Sequence, residues 1–216
     1  MIDKVVVTRD LEEADLPALK ALIVEAFGEG WNFGRFAQDT IFFDALLEVY
    51  LSMFLNSSTF GRVAEMGGEV VGAILCSASG ETEKFRQLQK DRPLHTLALL
   101  SGAEPERADV VEHLSVSFQT IGGLLGDKAA AYDGSLELIA VSQQVQGRKI
   151  GKALWDEACA YYSSKGAKLI YLISDSACNV GFYDHNGFYK TGTGEAVYNY
   201  GTGQRKSQVF VYEYRF

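Results

Sequence analysis

Apolar positions along the chain recur with two periods. Residues 136–141 (LELIAV) form an apolar run of strand length, and a polar loop, 142–146, follows it. Beyond the loop, Ile150, Leu154, Ala158, Tyr161 and Tyr162 return at the spacing of one helical face. The pattern predicts a helix that opens near Gly147 and runs to about Lys165, with Gly166 suited to its end. Residues 168–174 (KLIYLIS) read as a second buried strand. Strand, helix and strand in this order make a βαβ unit, with the two strands parallel and the crossover right-handed.

The same periods organise the flanks. Residues 4–8 read as a first strand. Leu16, Leu19, Leu22, Ile23 and Phe27 mark a helix over 16–27, with Asp15 at its N-cap and Pro17 in its first turn. After a break at 28–34, a second, aromatic-rich helix is expected over 36–55. Residues 60–65 and 69–77 read as strands joined at Gly67-Gly68, a tight hairpin signal. The second of them is almost continuously apolar, as a central strand is. Residues 78–134 contain a charged helical segment at 81–90 and two further helices, 94–100 and 108–125. A short helix over 179–186, ended by Gly187, precedes closing strands at 188–197 and 208–216, with a polar turn over 198–207.

The chain has 216 residues, 47% of them hydrophobic, which is enough for one substantial core and fits a single domain over 1–216. A net charge of -8 argues against a nucleic-acid or anionic-membrane partner. No apolar run reaches the roughly 18 residues of a membrane span. Cys76, Cys159 and Cys178 form no disulfide framework, which points to a reducing compartment and, with no leader pattern at the start, to the cytoplasm. No C-x-x-C or histidine cluster is present, so no metal is expected. His95 and His113 read as packing or surface residues.

The chemistry concentrates in the loop between strand and helix. A helix N-terminus has unpaired N–H groups and a dipole that favours anions. Gly147 and Gly151 expose backbone there, and Arg148, Lys149 and Lys152 add positive charge in an otherwise acidic chain. Neither G-x-x-x-x-G-K-[ST] nor G-x-G-x-x-G is present.

The loop resembles the acyl-CoA-binding motif of the GNAT superfamily of N-acetyltransferases, [Q/R]-x-x-G-x-[G/A]. Gln146 and Gly151 match, and Lys149 stands where the family usually has its first glycine. Residues 175–188 (DSACNVGFYDHNGF) resemble the second signature of that family, N-x-x-A-x-x-F-Y-x-x-x-G-F. Asn179, Phe182, Tyr183, Gly187 and Phe188 match it, and Gly181 departs at a small-residue position. The resemblance covers 136–192 well and the two ends only by topology.

It implies an α/β fold with a mixed, mostly antiparallel sheet, a parallel splayed pair at about 136–141 and 168–174, and helices on both faces. Residues 78–134 become a helical insertion, since the family's connection here is much shorter. The implied reaction is transfer of an acetyl group from acetyl-CoA to the amine of a small molecule or peptide. The cofactor would be held by Gln146, Gly147, Arg148, Lys149, Ile150, Gly151, Lys152 and Asn179, with Ile139 and Val141 pairing to the pantetheine amides. Tyr183 would be the general acid for the leaving thiolate. Glu137 is the candidate base, because an ammonium with a pKa of about 10.4 must lose a proton before it attacks; Asp133 and Glu195 are weaker choices. Three other readings stay open: a CoA-binding sensor or scaffold without turnover, a larger acyl donor, and an unrelated α/β interaction protein. The resemblance is also compatible with a homodimer.

Overall fold

The computed structural model of the chain describes residues 5–28, 33–102, 104–176, 178 and 180–216. Seven strands form one sheet: β1 (Val6–Asp10), β2 (Phe60–Met66), β3 (Glu69–Ala78), β4 (Gly134–Val141), β5 (Leu169–Asp175), β6 (Tyr189–Tyr200) and β7 (Gly203–Arg215). Their order is β1-β2-β3-β4-β5-β7-β6, and among the described residues only the β4–β5 pair is parallel. The helices are α1 (Leu16–Phe27), α2 (Thr40–Asn56), α3 (Pro93–Ser101), α4 (Pro105–Leu125), α5 (Ile150–Ser164) and α6 (Gly181–His185).

The sheet is covered on both faces. On one face, Leu19 and Ile23 of α1 and Phe42, Leu46 and Leu55 of α2 pack on Ala73, Leu75, Leu138 and Ala140, with Leu97 of α3 and Leu114 of α4 in the same cluster. Helix α2 is buried almost all round because α3 and α4 cover its outer side. On the other face, Ile150, Leu154, Trp155, Ala158 and Tyr162 of α5 pack on Ile74, Cys76, Leu136 and Leu172. This is the apolar face that the helical spacing predicts. No helix among the described residues is long and apolar enough to cross a membrane.

Several boundaries differ from the expectation, each for a local reason. The first strand is Val6–Asp10 and runs past the expected end at Thr8, with register set by Val6 opposite Met66 and Asp10 opposite Arg62; Lys4 lies outside the described residues. Asp15 stands at the N-cap of α1 but does not cap it. Its carboxylate binds Arg9 through two nitrogens, at 2.7 and 2.8 Å, and the Glu12 N–H at 2.9 Å. Helix α2 starts at Thr40 because Asp39 accepts from the Phe42 N–H at its N-cap; a short 3-10 turn, Phe33–Phe36, precedes it. The charged stretch 81–90 is no α-helix. It has no apolar face to dock and is pinned by buried Phe85 and a single turn at Arg86–Leu88.

The largest correction is at the chain's end. The expected polar turn over 198–207 is strand: the β6–β7 ladder continues to Tyr200 opposite Gly203, and only a tight turn with Gly201 at φ 61° closes it. This polar arm is stable because it packs along α4. Asn199 bonds Glu112, the Gly201 N–H donates to Asp109 at 2.6 Å, and the Tyr198 ring lies 4.1 Å from that of His113. A Cβ on Gly194 would meet Thr120 at 2.9 Å, so the approach to α4 requires glycine there.

Candidate active site

Strands β4 and β5 pair only at Gly134–Ile170 and Ser135–Tyr171, then separate, β4 staying on β3 and β5 on β7. The phase of the outer ladders decides what faces the gap. The Ser142 N–H donates to the Val71 carbonyl at 2.9 Å, and hydrogen-bonded positions alternate along an antiparallel pair. Leu138 and Ala140 therefore bond to β3, while Ile139 and Val141 turn their N–H and C=O groups to the gap. The Ser176 N–H donates to the Gln208 carbonyl at 2.9 Å, which turns Ile173 to the gap from the other side by the same rule.

Strand β4 carries a bulge at its centre. Leu75 pairs with Leu138 and Cys76 with Leu136, so Glu137 is an extra residue. Leu136 consequently packs on the α5 side, and Leu138 and Ala140 on the opposite side. A bulge re-aims the side chain it carries, and Glu137 lines the cavity at the inner end of the gap. Its Oε1 accepts from Ser135 Oγ at 2.5 Å, and Ser135 Oγ lies 2.8 Å from Ser77 Oγ. Burial pushes the carboxyl above its usual pKa, and hydroxyls of Ser135, Ser57 and Ser77 oppose that shift.

At the mouth of the gap lies the loop into α5. Glu25 of α1 fixes its start, accepting from the Gln143 N–H at 2.7 Å and from Ser142 Oγ at 3.1 Å. Gly147 and Lys149 both take left-handed backbone, with φ 79° and 59°. The first helical bond runs from the Ala153 N–H to the Lys149 carbonyl at 3.0 Å, so the N–H groups of Ile150, Gly151 and Lys152 precede the helix ladder. Gln146, Gly147, Arg148, Lys149 and Lys152 are exposed, and Ile150 is buried. Lys152 pairs with Asp156 one turn on. A Cβ on Gly151 would sit 3.3 Å from the Phe182 ring, so the two sequence signatures touch at this point. Asn179 lies outside the described residues.

Tyr183 projects from α6 with its ring 5.6 Å from that of Tyr212 and 5.8 Å from that of Phe188. It lines the same cavity as Glu137, and burial raises its hydroxyl well above the ordinary tyrosine pKa. The structure thus brings Glu137 and Tyr183 to one space, and the glycine loop follows the far end of β4, outside the lining of that cavity. The two weaker base candidates are elsewhere. Asp133 accepts from the Lys168 and Leu169 N–H groups at 2.7 and 2.9 Å, tying β4 to β5, and Glu195 pairs with Lys206 across the exposed hairpin.

The cavity has a volume of about 540 Å³ and extends from the gap to the space between α2 and α4. Asp175, His113, Ser174, Ser52 and Gln89 line it, and the sequence marked none of them for a site. The end of a buried strand was a signal for Asp175. Nothing in the pattern marks the serines or Gln89. Burial lowers the pKa of His113. Among the described residues no group of three His, Cys, Asp or Glu side chains is placed to hold a metal ion. The unladdered strand edges, the helix N-terminus and its glycines together fit an extended ligand with amides along its length and an anionic end.

The family model described as Acetyltransferase (GNAT) family matches residues 16–188. No curated protein matches the sequence significantly. Among solved structures, the chain is similar to a ribosomal-protein-alanine N-acetyltransferase from Brucella melitensis, at 16% identity and TM-score 0.50 over 97% of this chain and 99% of that one. It is similar to PaiA N-acetyltransferase from Thermoplasma acidophilum, solved in complex with coenzyme A, at 15% identity and TM-score 0.50 over 98% and 99% of the two chains. A polyamine N-acetyltransferase from Drosophila melanogaster matches at 13% identity and TM-score 0.51 over 98% and 100%. Identities this low show a shared fold.

Proposed function

The chain belongs to the GNAT acetyltransferase family, and from that premise we propose that it transfers an acetyl group from acetyl-CoA to the amine of a small molecule or peptide, by direct attack with both substrates bound. The observation that carries this reading is the meeting of Glu137 and Tyr183 in one cavity at the inner end of a splayed strand pair. The neighbour of this fold that holds coenzyme A supports it.

In this reading Gly147, Lys149, Ile150, Gly151 and Lys152 offer N–H groups to the pyrophosphate at the mouth of the gap, with Gln146 and Arg148 beside them. Asn179 belongs to the same proposed set through its signature. Ile139 and Val141 pair with the pantetheine amides as a neighbouring strand would. One of these N–H groups, of Ile139 or Val141, also stabilises the oxyanion that forms on the thioester carbonyl in this reading. Glu137 takes the proton from the ammonium. A carboxylate with a raised pKa is a better base than an ordinary one, and the gap to an amine pKa of about 10.4 narrows accordingly. The neutral nitrogen adds to the carbonyl carbon and the oxyanion forms; as it collapses the C–S bond breaks, Tyr183 gives its proton to the departing sulfur, and the second proton shed by the new amide nitrogen restores the Tyr183 hydroxyl. The burial that keeps Tyr183 protonated also disfavours a thiolate beside it, so the proton step stays short.

The test is thiol release from acetyl-CoA in the presence of a panel of amines. Tyr183→Phe should lower kcat while the affinity for acetyl-CoA stays nearly intact. An unchanged kcat removes Tyr183 from the mechanism, and binding of acetyl-CoA with no turnover of any amine favours a sensor or scaffold.

A further inference from the structure

The cavity beyond Tyr183 says what kind of amine it takes. Its walls are mainly apolar, built from Val49, Met53 and Phe54 of α2 and Leu114, Phe118 and Ile121 of α4. Two carboxylates, Glu137 and Asp175, line it, and no Lys or Arg does among the described residues. Two buried polar atoms without a hydrogen-bond partner also belong to lining residues, Ser52 Oγ and Gln89 Nε2 on the α2 side, while the Ser174 hydroxyl sits against Tyr183 and Cys178. Ser52 is only 8% exposed. Buried polar atoms normally find partners, so these are atoms a ligand can satisfy. The neighbouring charges on α2 are already used, since Glu48 pairs with both Lys20 and Lys90.

We propose, resting on the acetyl-transfer reading, that the acceptor is a small monoamine with an apolar arylalkyl or branched alkyl body and a distal hydrogen-bonding oxygen. Its ammonium meets Glu137, its body lies between α2 and α4, and its oxygen meets Ser52 and Gln89. A polyamine or aminoglycoside would carry further cations into the apolar part, where burial without a partner is strongly unfavourable. A protein amine needs an open groove, and here α4 is held across the cavity by the β6–β7 arm. A long acyl chain would fill the apolar part but leave the orphaned atoms of Ser52 and Gln89 unmet.

The test uses the purified full chain with acetyl-CoA and compares 2-phenylethylamine, tyramine, spermidine and a peptide with an N-terminal alanine. Expected is a kcat/KM for the two aryl amines at least tenfold above spermidine and the peptide, with tyramine ahead of phenylethylamine. Ile121→Glu, on the partly exposed inner side of α4, should raise KM for the aryl amines severalfold and leave KM for acetyl-CoA unchanged. Ser52→Ala should erase the advantage of tyramine. Equal or better turnover of spermidine or the peptide overturns the proposal, as does a preference for hexanoyl-CoA over acetyl-CoA without discrimination among amines. Absence of acetyl-CoA binding overturns the acetyl-transfer reading itself, and binding with turnover of polar amines alone overturns only the inference.

Discussion

Lys149 occupies the position where a glycine is usual, and its backbone is left-handed at φ 59°, ψ 19°. A residue with a Cβ pays about 1–2 kcal/mol in that conformation. Lys149→Gly removes this strain but returns about 0.4–1 kcal/mol by loosening the unfolded chain. The balance favours the variant by about 0.5–1 kcal/mol, or roughly 1–4 °C in Tm for a chain of this length. The side chain is exposed and makes no ion pair among the described residues, so little else is lost from the fold. Its ammonium stands beside a helix N-terminus, and removing it should weaken acetyl-CoA binding by about 0.3–1 kcal/mol, up to about fivefold at low salt. Lys149→Ala separates the two effects: it loses the same charge and keeps the strain. The assay is thermal unfolding of both variants without ligand, followed by titration with acetyl-CoA. Lys149→Gly should melt higher and Lys149→Ala should not, while both bind more weakly by a similar factor. A gain for Lys149→Ala equal to that for Lys149→Gly, or a loss for Lys149→Gly, refutes the strain argument.

Glu137→Gln should lower kcat by about 10²–10³ and remove the ascending limb of the pH profile of kcat/KM; a retained limb assigns the base elsewhere. The same carboxyl affects stability. Its folded pKa is raised by burial, so the folded state loses stability as pH rises from the unfolded value near 4.5 through the raised one. Denaturation at pH 5 and pH 8 should therefore show Glu137→Gln gaining on the parent toward pH 8, and a constant difference contradicts the shift. Asp15 has the opposite sign, because its hydrogen bonds from Arg9 lower its pKa. Its contribution is present above the unfolded value of 3.8 and is lost as pH falls through the lower folded value. Arg9→Met should cost about 2–3 kcal/mol at pH 7, below the range for a fully buried pair because Arg9 is a third exposed, and should move acid unfolding to higher pH.

The stretch from β4 to α6 was legible because its signals are local. Apolar runs of strand length flank one clear helical face, and the two signatures fall at the strand ends that face each other across the gap. The parallel pair and its splay follow from that unit. The bulge at Glu137 was not legible, since Leu136 and Leu138 flank it as if they shared a face. The outer part of the cavity was hidden for a different reason. Helix α2 is buried almost all round, so it lacks the two-sided pattern of a surface helix. The tip of the β6–β7 arm is polar because its partner is the polar side of α4, and it read as a turn. Ser52 and Gln89 gain meaning only from having no partner, a property that exists in three dimensions alone.

The proposed function requires that the gap between β4 and β5, with the α5 N-terminus at its mouth, binds acetyl-CoA. Isothermal titration of the parent chain and of Gly151→Asp with acetyl-CoA tests it most directly. An aspartate in the first helical turn suits the helix dipole and keeps the fold, but it places a negative charge where the pyrophosphate would lie, with its Cβ 3.3 Å from the Phe182 ring. Expected is saturable binding to the parent and at least tenfold weaker binding to Gly151→Asp, with unchanged circular dichroism. No binding to the parent, or equal affinity for the two, would contradict it.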